Sequence, residues 1–230
     1  MSANATVTAS DFWSSLRGAV RLVYDEVVPV SVISLGTSLL LFPLVTIGPA
    51  CLAAVVTMSE IAHRRGSASG RSERERLRSF LSAIRRYFRA GIPFSVLIVF
   101  TALNLVTYVL LASANGSAVF WFGAALALYT LIIVVALTFR AGSLIADADV
   151  DADELPGTRA LLAQGVDVWL QCPWYSAIHL LVVAFILLVM VLLTPAAMVL
   201  LAGSLATLEV VVYEDIAGEG AETFFEDSDG

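Results

Sequence analysis

The chain has 230 residues, of which 59% are hydrophobic and 14% are charged. Soluble domains carry about 25% charged residues, so this composition excludes a water-soluble globular protein and predicts an integral membrane protein. All thirteen basic residues are arginine and twenty residues are acidic, which gives a net charge of -7. Acidic, lysine-free surfaces suit high intracellular salt and are typical of salt-loving archaea; a GC-rich genome is the alternative explanation.

The N-terminal segment, residues 1–26, is predicted to hold a polar tail followed by an amphipathic helix. Its apolar residues recur at helical spacing, at Phe12, Leu16, Val20, Val23 and Val27. Trp13 and Tyr24 carry rings that favour the headgroup layer of a bilayer. We therefore predict that this helix lies along the membrane surface; the alternative is that it forms the frayed start of the first span.

A charge-free run from Val27 to Ser59 is the first segment expected inside the membrane. One helix needs about 20 apolar residues to cross a bilayer, so a run of this length has to break or kink. Pro43 and the Gly48–Pro49 pair are the residues in it that interrupt helices. We predict a hairpin of two spans; the alternative is one long kinked helix, which would leave five spans and an external N-terminus.

The linker after this hairpin, residues 64–90, holds nine of the thirteen arginines. Loops rich in basic residues face the cytoplasm, so we predict a cytoplasmic linker. Apolar residues at helical spacing predict an amphipathic helix whose apolar side rests on the bilayer, at Leu77, Phe80, Leu81, Ile84 and Phe88. Nucleic acid is not an expected partner, because topology and anionic lipid account for the charge. The candidate contacts for lipid or a partner protein are Arg74, Arg78, Arg85, Arg86 and Arg89.

Two further apolar blocks, from Ala90 to Phe139 and from Val168 to Leu208, are each long enough for two spans. Turn residues at 113–117 and at 194–195 divide them. An acidic loop and a helix, residues 141–172, lie between the blocks and are placed in the cytoplasm with the arginine-rich linker.

These elements predict an all-α fold, a polytopic membrane helix bundle in residues 27–213 with additional amphipathic interfacial helices. Residues 214–230 form an acidic tail that is predicted to be disordered. An even number of spans puts both termini on the cytoplasmic side of the plasma membrane. The six predicted spans are 28–46, 49–63, 92–111, 118–139, 174–193 and 197–213.

No pattern in the sequence indicates catalysis, a cofactor or a bound metal. The two histidines, His63 and His179, belong to no H-E-x-x-H motif and have no cysteine at ligand spacing. The two cysteines, Cys51 and Cys172, are predicted to be small packing residues. We therefore predict that the protein is not an enzyme and has no cofactor.

Five polar residues are candidates for a site inside the membrane: Glu60, His63, Asn104, His179 and Glu209. Ionisable groups within spans mark proton relays and substrate sites in membrane proteins. The simpler interpretations are a solvated helix end for the first two residues and core packing for the second histidine. For Glu209, pairing with Arg140 or exposure to cytoplasmic water would explain the charge, and Arg140 is expected to extend to the cytoplasmic interface. An alternative pathway for a neutral solute would use Thr46, Asn104, Thr107, Tyr108 and Tyr129.

Three stretches of the chain resemble the YesL family of membrane proteins. They are FPLVTIGPA, SFLSAIRRYFRAGIP and LLAQGVDVWLQCPWYSAIHLL, and the resemblance covers Ala19 to Tyr213. The motifs contain no catalytic signature. Members of that family are often associated with carbohydrate uptake systems in bacteria, so the resemblance implies an accessory role in sugar import.

Two functions remain open from the sequence. The first is an accessory or regulatory component of a transport system, whose partners are the lipid bilayer and the subunits of a transport complex. The second is a small-solute transporter or channel in its own right. The missing catalytic pattern and the helical cytoplasmic segments favour the first.

Overall fold

The computed structural model describes residues 9–40, 43–63, 73–148, 155–192 and 194–217, and all of these segments are helical or connect helices. No β-strand occurs in this part of the chain, so the all-α prediction is confirmed. The helices are α1 (Ala9–Asp25), α2 (Val27–Leu40), α3 (Ile47–His63), α4 (Glu73–Asn115), α5 (Ala118–Ala148), α6 (Thr158–Gln171), α7 (Pro173–Leu192) and α8 (Thr194–Ala217), with a short 3₁₀ turn at Leu44–Thr46.

Three helical segments are long and apolar enough to cross a membrane, Leu44–His63, Arg74–Asn115 and Ala118–Ala148. Two further pairs of helices satisfy the same condition together, although each pair is sharply bent: α1 with α2 by 86° and α6 with α7 by 111°. Length and composition therefore support three to five spans. The membrane character of the chain agrees with the sequence, and the predicted count of six embedded helices is not confirmed.

Helix α3 lies at the centre of the bundle and packs against α2, α4, α5 and α8. Every residue from Gly48 to Met58 is buried. The predicted interruption before this helix is present, because α2 ends at Leu40 and a 3₁₀ turn follows Pro43. Gly48 and Pro49 lie in the first turn of α3, where a proline loses only an amide that has no helical partner. They therefore begin the helix and do not form the break.

The N-terminal end of α3 touches the backbone of α4. A Cβ atom on Gly48 would overlap the carbonyl oxygen of Gly91, and one on Gly91 would overlap the backbone of Pro49. The hydroxyl of Ser95 accepts a hydrogen bond from the Gly48 amide at 2.8 Å and donates one to the carbonyl of Val45 at 2.7 Å. Glycine is therefore required at this crossing because no side chain fits between the two helices.

Helix α4 corrects the prediction of a separate interfacial helix in the linker. The amphipathic segment and the third span form one helix of 43 residues, with Pro93 inside it. At a rise of about 1.5 Å per residue the helix is about 65 Å long, roughly twice the thickness of a hydrocarbon layer. Part of the apolar side of the amphipathic segment packs against protein, since Phe80 is fully buried against Gly36 of α2, whereas Leu77 and Leu81 are exposed.

Helices α4 and α5 form a tight antiparallel hairpin, as the turn residues at 113–117 predicted. Gly116 has a φ of 62°, and its amide bonds to the carbonyl of Ala112 at 2.9 Å, which ends α4. This left-handed conformation favours glycine. Helix α5 then begins at Ala118 and extends well past the predicted end of the fourth span, to Ala148.

Helix α1 packs against α8 with a face rotated slightly from the predicted one. Phe12, Leu16 and Val23 of the predicted apolar face pack in or against the core. Ser15 and Leu22 are buried as well, and Val20 is 62% exposed. The rotation has a polar cause, since the carboxylate of Asp215 accepts hydrogen bonds from the hydroxyls of Ser15 and Tyr175. The rings of Trp13 and Tyr24 are exposed, and their place in the headgroup layer stays a prediction.

Asp215→Ala is expected to lower the free energy of unfolding by about 1–3 kcal/mol, because two buried hydroxyls lose their acceptor. Thermal unfolding in detergent, monitored by tryptophan fluorescence, measures the change. Asp167→Ala is the matched control, since Asp167 is an exposed acid on α6. Equal stability of the two variants would contradict the role given to Asp215.

Candidate functional site

Three ionisable side chains lie together in the apolar core, one each from α5, α7 and α8. Arg140, His179 and Glu209 are at most 1% exposed. The Nε atom of Arg140 lies 2.7 Å from Oε1 of Glu209, and Nε2 of His179 lies 3.5 Å from Oε2 of the same carboxylate. We call these three residues the buried ion cluster. The carboxylate of Glu209, on α8, contacts Arg140 of α5 and His179 of α7 and so connects the three helices.

The positive charge of the Arg140 guanidinium is the charge in this cluster that most needs compensation in the apolar core. Although Nε lies close to the carboxylate, its N–H is not aligned for a hydrogen bond, and Nη1 and Nη2 have no acceptor among the described residues. The guanidinium carbon lies 5.4 Å from the centre of the Tyr213 ring, whose electron-rich face attracts a cation. Coulomb attraction and the ring therefore balance the buried charge.

The burial of Arg140 corrects the expectation that this side chain extends to the membrane interface. Helix α6 covers it, because Gly165 lies where an added Cβ atom would be 3.3 Å from Cγ of Arg140. Of the two explanations offered for Glu209, pairing with Arg140 is confirmed and exposure to water is wrong. His179 is buried, as a packing residue would be, but it also contacts a carboxylate.

A cavity of about 380 Å³ lies at one end of the bundle, between α3, α4, α5 and α8. This end contains the C-terminal ends of α3, α5 and α8 and the arginine-rich part of α4. We call it the terminal cavity. Among the residues that the structure describes, the ionisable side chains that line it are Glu60, His63, Arg86, Asp147 and Glu214.

Tyr213 connects the terminal cavity with the buried ion cluster. Its ring lines the cavity and lies beside the guanidinium of Arg140, and its hydroxyl donates to Oδ2 of Asp147 at 3.2 Å. Ser143 also lines the cavity and lies one helical turn from Arg140 on α5. Polar groups therefore continue from the cavity into the core.

The structure brings most of the predicted polar residues together. Glu60 and His63 line the terminal cavity, while His179 and Glu209 belong to the buried ion cluster. Asn104 lies elsewhere, and its amide donates to the carbonyl of Phe100 in the same helix at 2.9 Å. None of the five residues of the alternative solute pathway lines the terminal cavity, and the pathway stays a prediction: Thr46, Asn104, Thr107, Tyr108 and Tyr129.

The candidate arginines divide into two groups. Arg86 lines the terminal cavity, and its guanidinium lies 5.5 Å from the centre of the Tyr87 ring. The other four are exposed along α4, at Arg74, Arg78, Arg85 and Arg89. Their separations of four, seven and four residues place them on one face of the helix. We call this face the arginine stripe.

Four residues of this region were missed as site residues from the sequence: Arg140, Ser143, Asp147 and Tyr213. A signal for them exists in the helical spacing, since residues three or four apart lie on the same face. Glu209 and Tyr213 have this relation on α8, and so do Arg140 and Ser143 on α5. These helix faces indicate a shared site only when it is known which helices are neighbours in the fold.

The described residues contain no group of three or more histidines, cysteines or acids arranged to hold a metal ion. The carboxylates of the terminal cavity come from three different helices, and the buried carboxylate is already close to a guanidinium. The arrangement therefore suits charge pairing and hydrogen bonding more than metal coordination.

Comparisons with known proteins add no family assignment. No protein-family profile matches the chain. Searches of curated proteins and of solved structures likewise found no match. The resemblance to the YesL family therefore stays a prediction, and function has to be argued from the geometry of the chain.

Proposed function

We propose that this chain is a non-enzymatic multi-pass membrane protein that serves as an accessory or regulatory component of a transport system. The observation that carries the proposal is the arginine stripe on α4. A helix of about 65 Å is too long for one hydrocarbon layer, so a large part of it lies outside the membrane. The basic segment is the part that belongs outside, and the resemblance to the YesL family suggests carbohydrate uptake.

The arginine stripe has the composition of a docking surface. Arg78 and Arg85 flank Leu81 on the same face, and this leucine is 48% exposed. The planar guanidinium of arginine pairs well with carboxylates. Burial of an exposed apolar side chain against a partner adds to the binding free energy. The expected partner is an acidic cytoplasmic segment of a transport subunit.

A photoreactive amino acid at Leu81 tests this proposal in intact cells of the native host. We expect it to crosslink to a subunit of a transporter, identified by mass spectrometry. The yield should fall several-fold when Arg78 and Arg85 are both changed to glutamate, because charge reversal repels an acidic partner. The same reagent at Val119 is the matched control. This residue is also exposed, but it lies at the start of α5, beside the turn that joins α4 and α5 and far from the arginine stripe.

Crosslinks from Leu81 that reach only a second copy of this chain, or only the chain's own residues 218–230, would contradict the proposed role. So would equal yields from Leu81 and Val119.

A small-solute transporter or channel is the second candidate, and the terminal cavity with the buried ion cluster favours it. Ionisable groups inside membrane bundles often form coupling sites. Flux into liposomes that contain the purified protein tests this function, with a broad panel of sugars and ions. Flux that is lost in Glu209→Gln would support a transport function. The absence of flux across the panel would rule it out.

A further inference from the structure

We propose that the buried ion cluster binds a proton, which enters from the terminal cavity and is held between Glu209 and His179. Both side chains are at most 1% exposed, and Nε2 of the histidine faces Oε2 of the carboxylate at 3.5 Å. Arg140 keeps its positive charge, because a guanidinium does not lose its proton in proteins. Glu209 and His179 are therefore the members of the cluster that can change their charge. We call them the carboxylate–imidazole pair.

The carboxylate of Glu209 has few hydrogen bonds for a buried anion. Its Oε1 atom lies 2.7 Å from Nε of Arg140, but no described residue donates an aligned hydrogen bond to it. The 3.5 Å between Oε2 and Nε2 of His179 is also long, since N–H···O bonds usually have heavy-atom distances of about 2.9 Å. Burying an ionised group is costly unless it is paired and hydrogen-bonded. A proton therefore has a favourable position between the two side chains.

Polar atoms without partners lead from the terminal cavity to the carboxylate–imidazole pair. Ser143 lines the cavity and is 3% exposed, and its Oγ has no hydrogen-bond partner among the described residues. The same holds for Nη1 and Nη2 of Arg140, one turn away on α5, and for Nδ1 of His179. Buried polar atoms are nearly always hydrogen-bonded, and internal water completes the bonds that side chains leave open. Water bound along these atoms connects the cavity with the pair.

The transfer of the proton needs no reactant besides water. A hydronium ion in the terminal cavity breaks one of its O–H bonds, passes the proton along the bound water and remains as water. The proton forms an O–H bond on Glu209 or an N–H bond on His179. Two groups that interact strongly take up a proton as a unit, so the bond belongs to the pair. With a neutral histidine before the step, the three side chains change from no net charge to one positive charge.

The ionisable groups next to the pair come from the same three helices. Helix α5 contributes Arg140, α8 contributes Tyr213, and α7 contributes Tyr175, whose hydroxyl donates to Asp215. Helix α2 has no ionisable residue. The described acids and arginines of α1 and α6 are exposed: Arg17, Arg21, Asp25, Arg159 and Asp167. Ionisable residues of α3 and α4 that reach this end of the bundle line the terminal cavity: Glu60, His63, Arg86 and Tyr87. Among the described residues, Arg140 is the charged side chain that contacts the pair.

Nuclear magnetic resonance of the full chain in lipid nanodiscs, with isotope-labelled histidine, tests proton binding. The chain has two histidines, and the signal that persists in His63→Asn belongs to His179. We expect the ring nitrogen signals of His179 to change reversibly with pH while the helix content, followed by circular dichroism, stays constant. A histidine that only packs in the core would give constant signals. In Glu209→Gln the change should be lost or should occur at another pH, because the pair has lost its carboxylate.

Ser143→Val tests the entry from the terminal cavity. The exchange of protons between water and the ring of His179, measured in the same spectra, should become several-fold slower, because an apolar side chain replaces a hydroxyl that holds water. Ser113→Val is the matched control. Ser113 is exposed near the turn between α4 and α5, and its hydroxyl donates to the carbonyl of Val109 in its own helix at 2.8 Å. Exchange in this control should equal that of the unmodified chain.

The proposal is overturned if the signals of His179 stay constant over the pH range in which the helices are intact. It is also overturned if Glu209→Gln leaves the pH response unchanged, or if the two serine variants exchange at the same rate. The measurements on the unmodified chain and on the serine variants decide the matter even if Glu209→Gln does not fold.

Proton binding goes beyond both proposed functions, because it requires neither a partner protein nor transport. A chain that takes up the proton but gives no flux in liposomes would support the proton site and remove the transporter. Flux without proton uptake would do the reverse. None of these results bears on the crosslinks from Leu81.

Discussion

Glu209→Leu is expected to lower the free energy of unfolding by about 3–5 kcal/mol, because it leaves the Arg140 guanidinium buried without its counter-ion. The cost is large since Arg140 is fully buried and its other nitrogens have no acceptor among the described residues. Chemical unfolding in mixed micelles measures the effect. Glu214→Leu, on the same helix but only half-buried, should change the stability much less.

A double-mutant cycle separates the ion pair from the general cost of changing a core residue. Arg140→Met should destabilise strongly by itself, since it leaves the carboxylate of Glu209 unpaired in the core. The combination of Arg140→Met with Glu209→Leu should be clearly more stable than the sum of the two changes predicts, because no charge is then buried. Strict additivity would show that the two residues do not interact.

Gly91→Ala is expected to destabilise the bundle by about 3 kcal/mol or more, the upper part of the range for overpacked cores. A methyl group at this position would overlap the backbone of Pro49, which cannot move aside as a flexible side chain could. The change therefore forces α3 and α4 apart. The position of α3, the central helix, depends on this contact. Thermal unfolding in detergent and the yield of monodisperse protein measure it.

Gly157→Ala is the matched control for this prediction. An added Cβ at Gly157 meets nothing within 4 Å, and its φ of -56° suits any residue. The control should unfold close to the temperature of the unmodified chain. If Gly91→Ala behaved like Gly157→Ala, the close crossing of α3 and α4 would be wrong.

Several elements could be predicted from the sequence because local rules govern them. The interruption after Leu40 follows from a proline in an apolar run that is too long for one span. The turn at Gly116 follows from the need for a left-handed residue between two apolar blocks. The long α4 could not be predicted, because Pro93 and Gly91 usually weaken a helix. Here the contacts of Gly91 with Pro49, and the hydrogen bonds of Ser95, fix the helix against α3.

The candidate site was partly predictable. Glu60, His63, His179 and Glu209 attracted attention because ionisable groups are expensive within apolar segments. Arg140 was misplaced, since an arginine at the end of an apolar block normally extends toward water. Its burial depends on α6, whose Gly165 packs against it. No local pattern in the sequence predicts the contact between Gly165 and Arg140.

The sequence by itself determined the class of the protein, since an apolar composition with few charges makes helices in a membrane the stable arrangement. It also determined where helices break, through residues such as Pro43 and Gly116. The tertiary structure decided which polar groups meet. Contacts such as Val55 against Gly142 and Ser34 against Gly203 help set how each helix is rotated about its axis. That rotation directs Arg140, His179 and Glu209 to one point, and it depends on neighbours that are distant in the sequence.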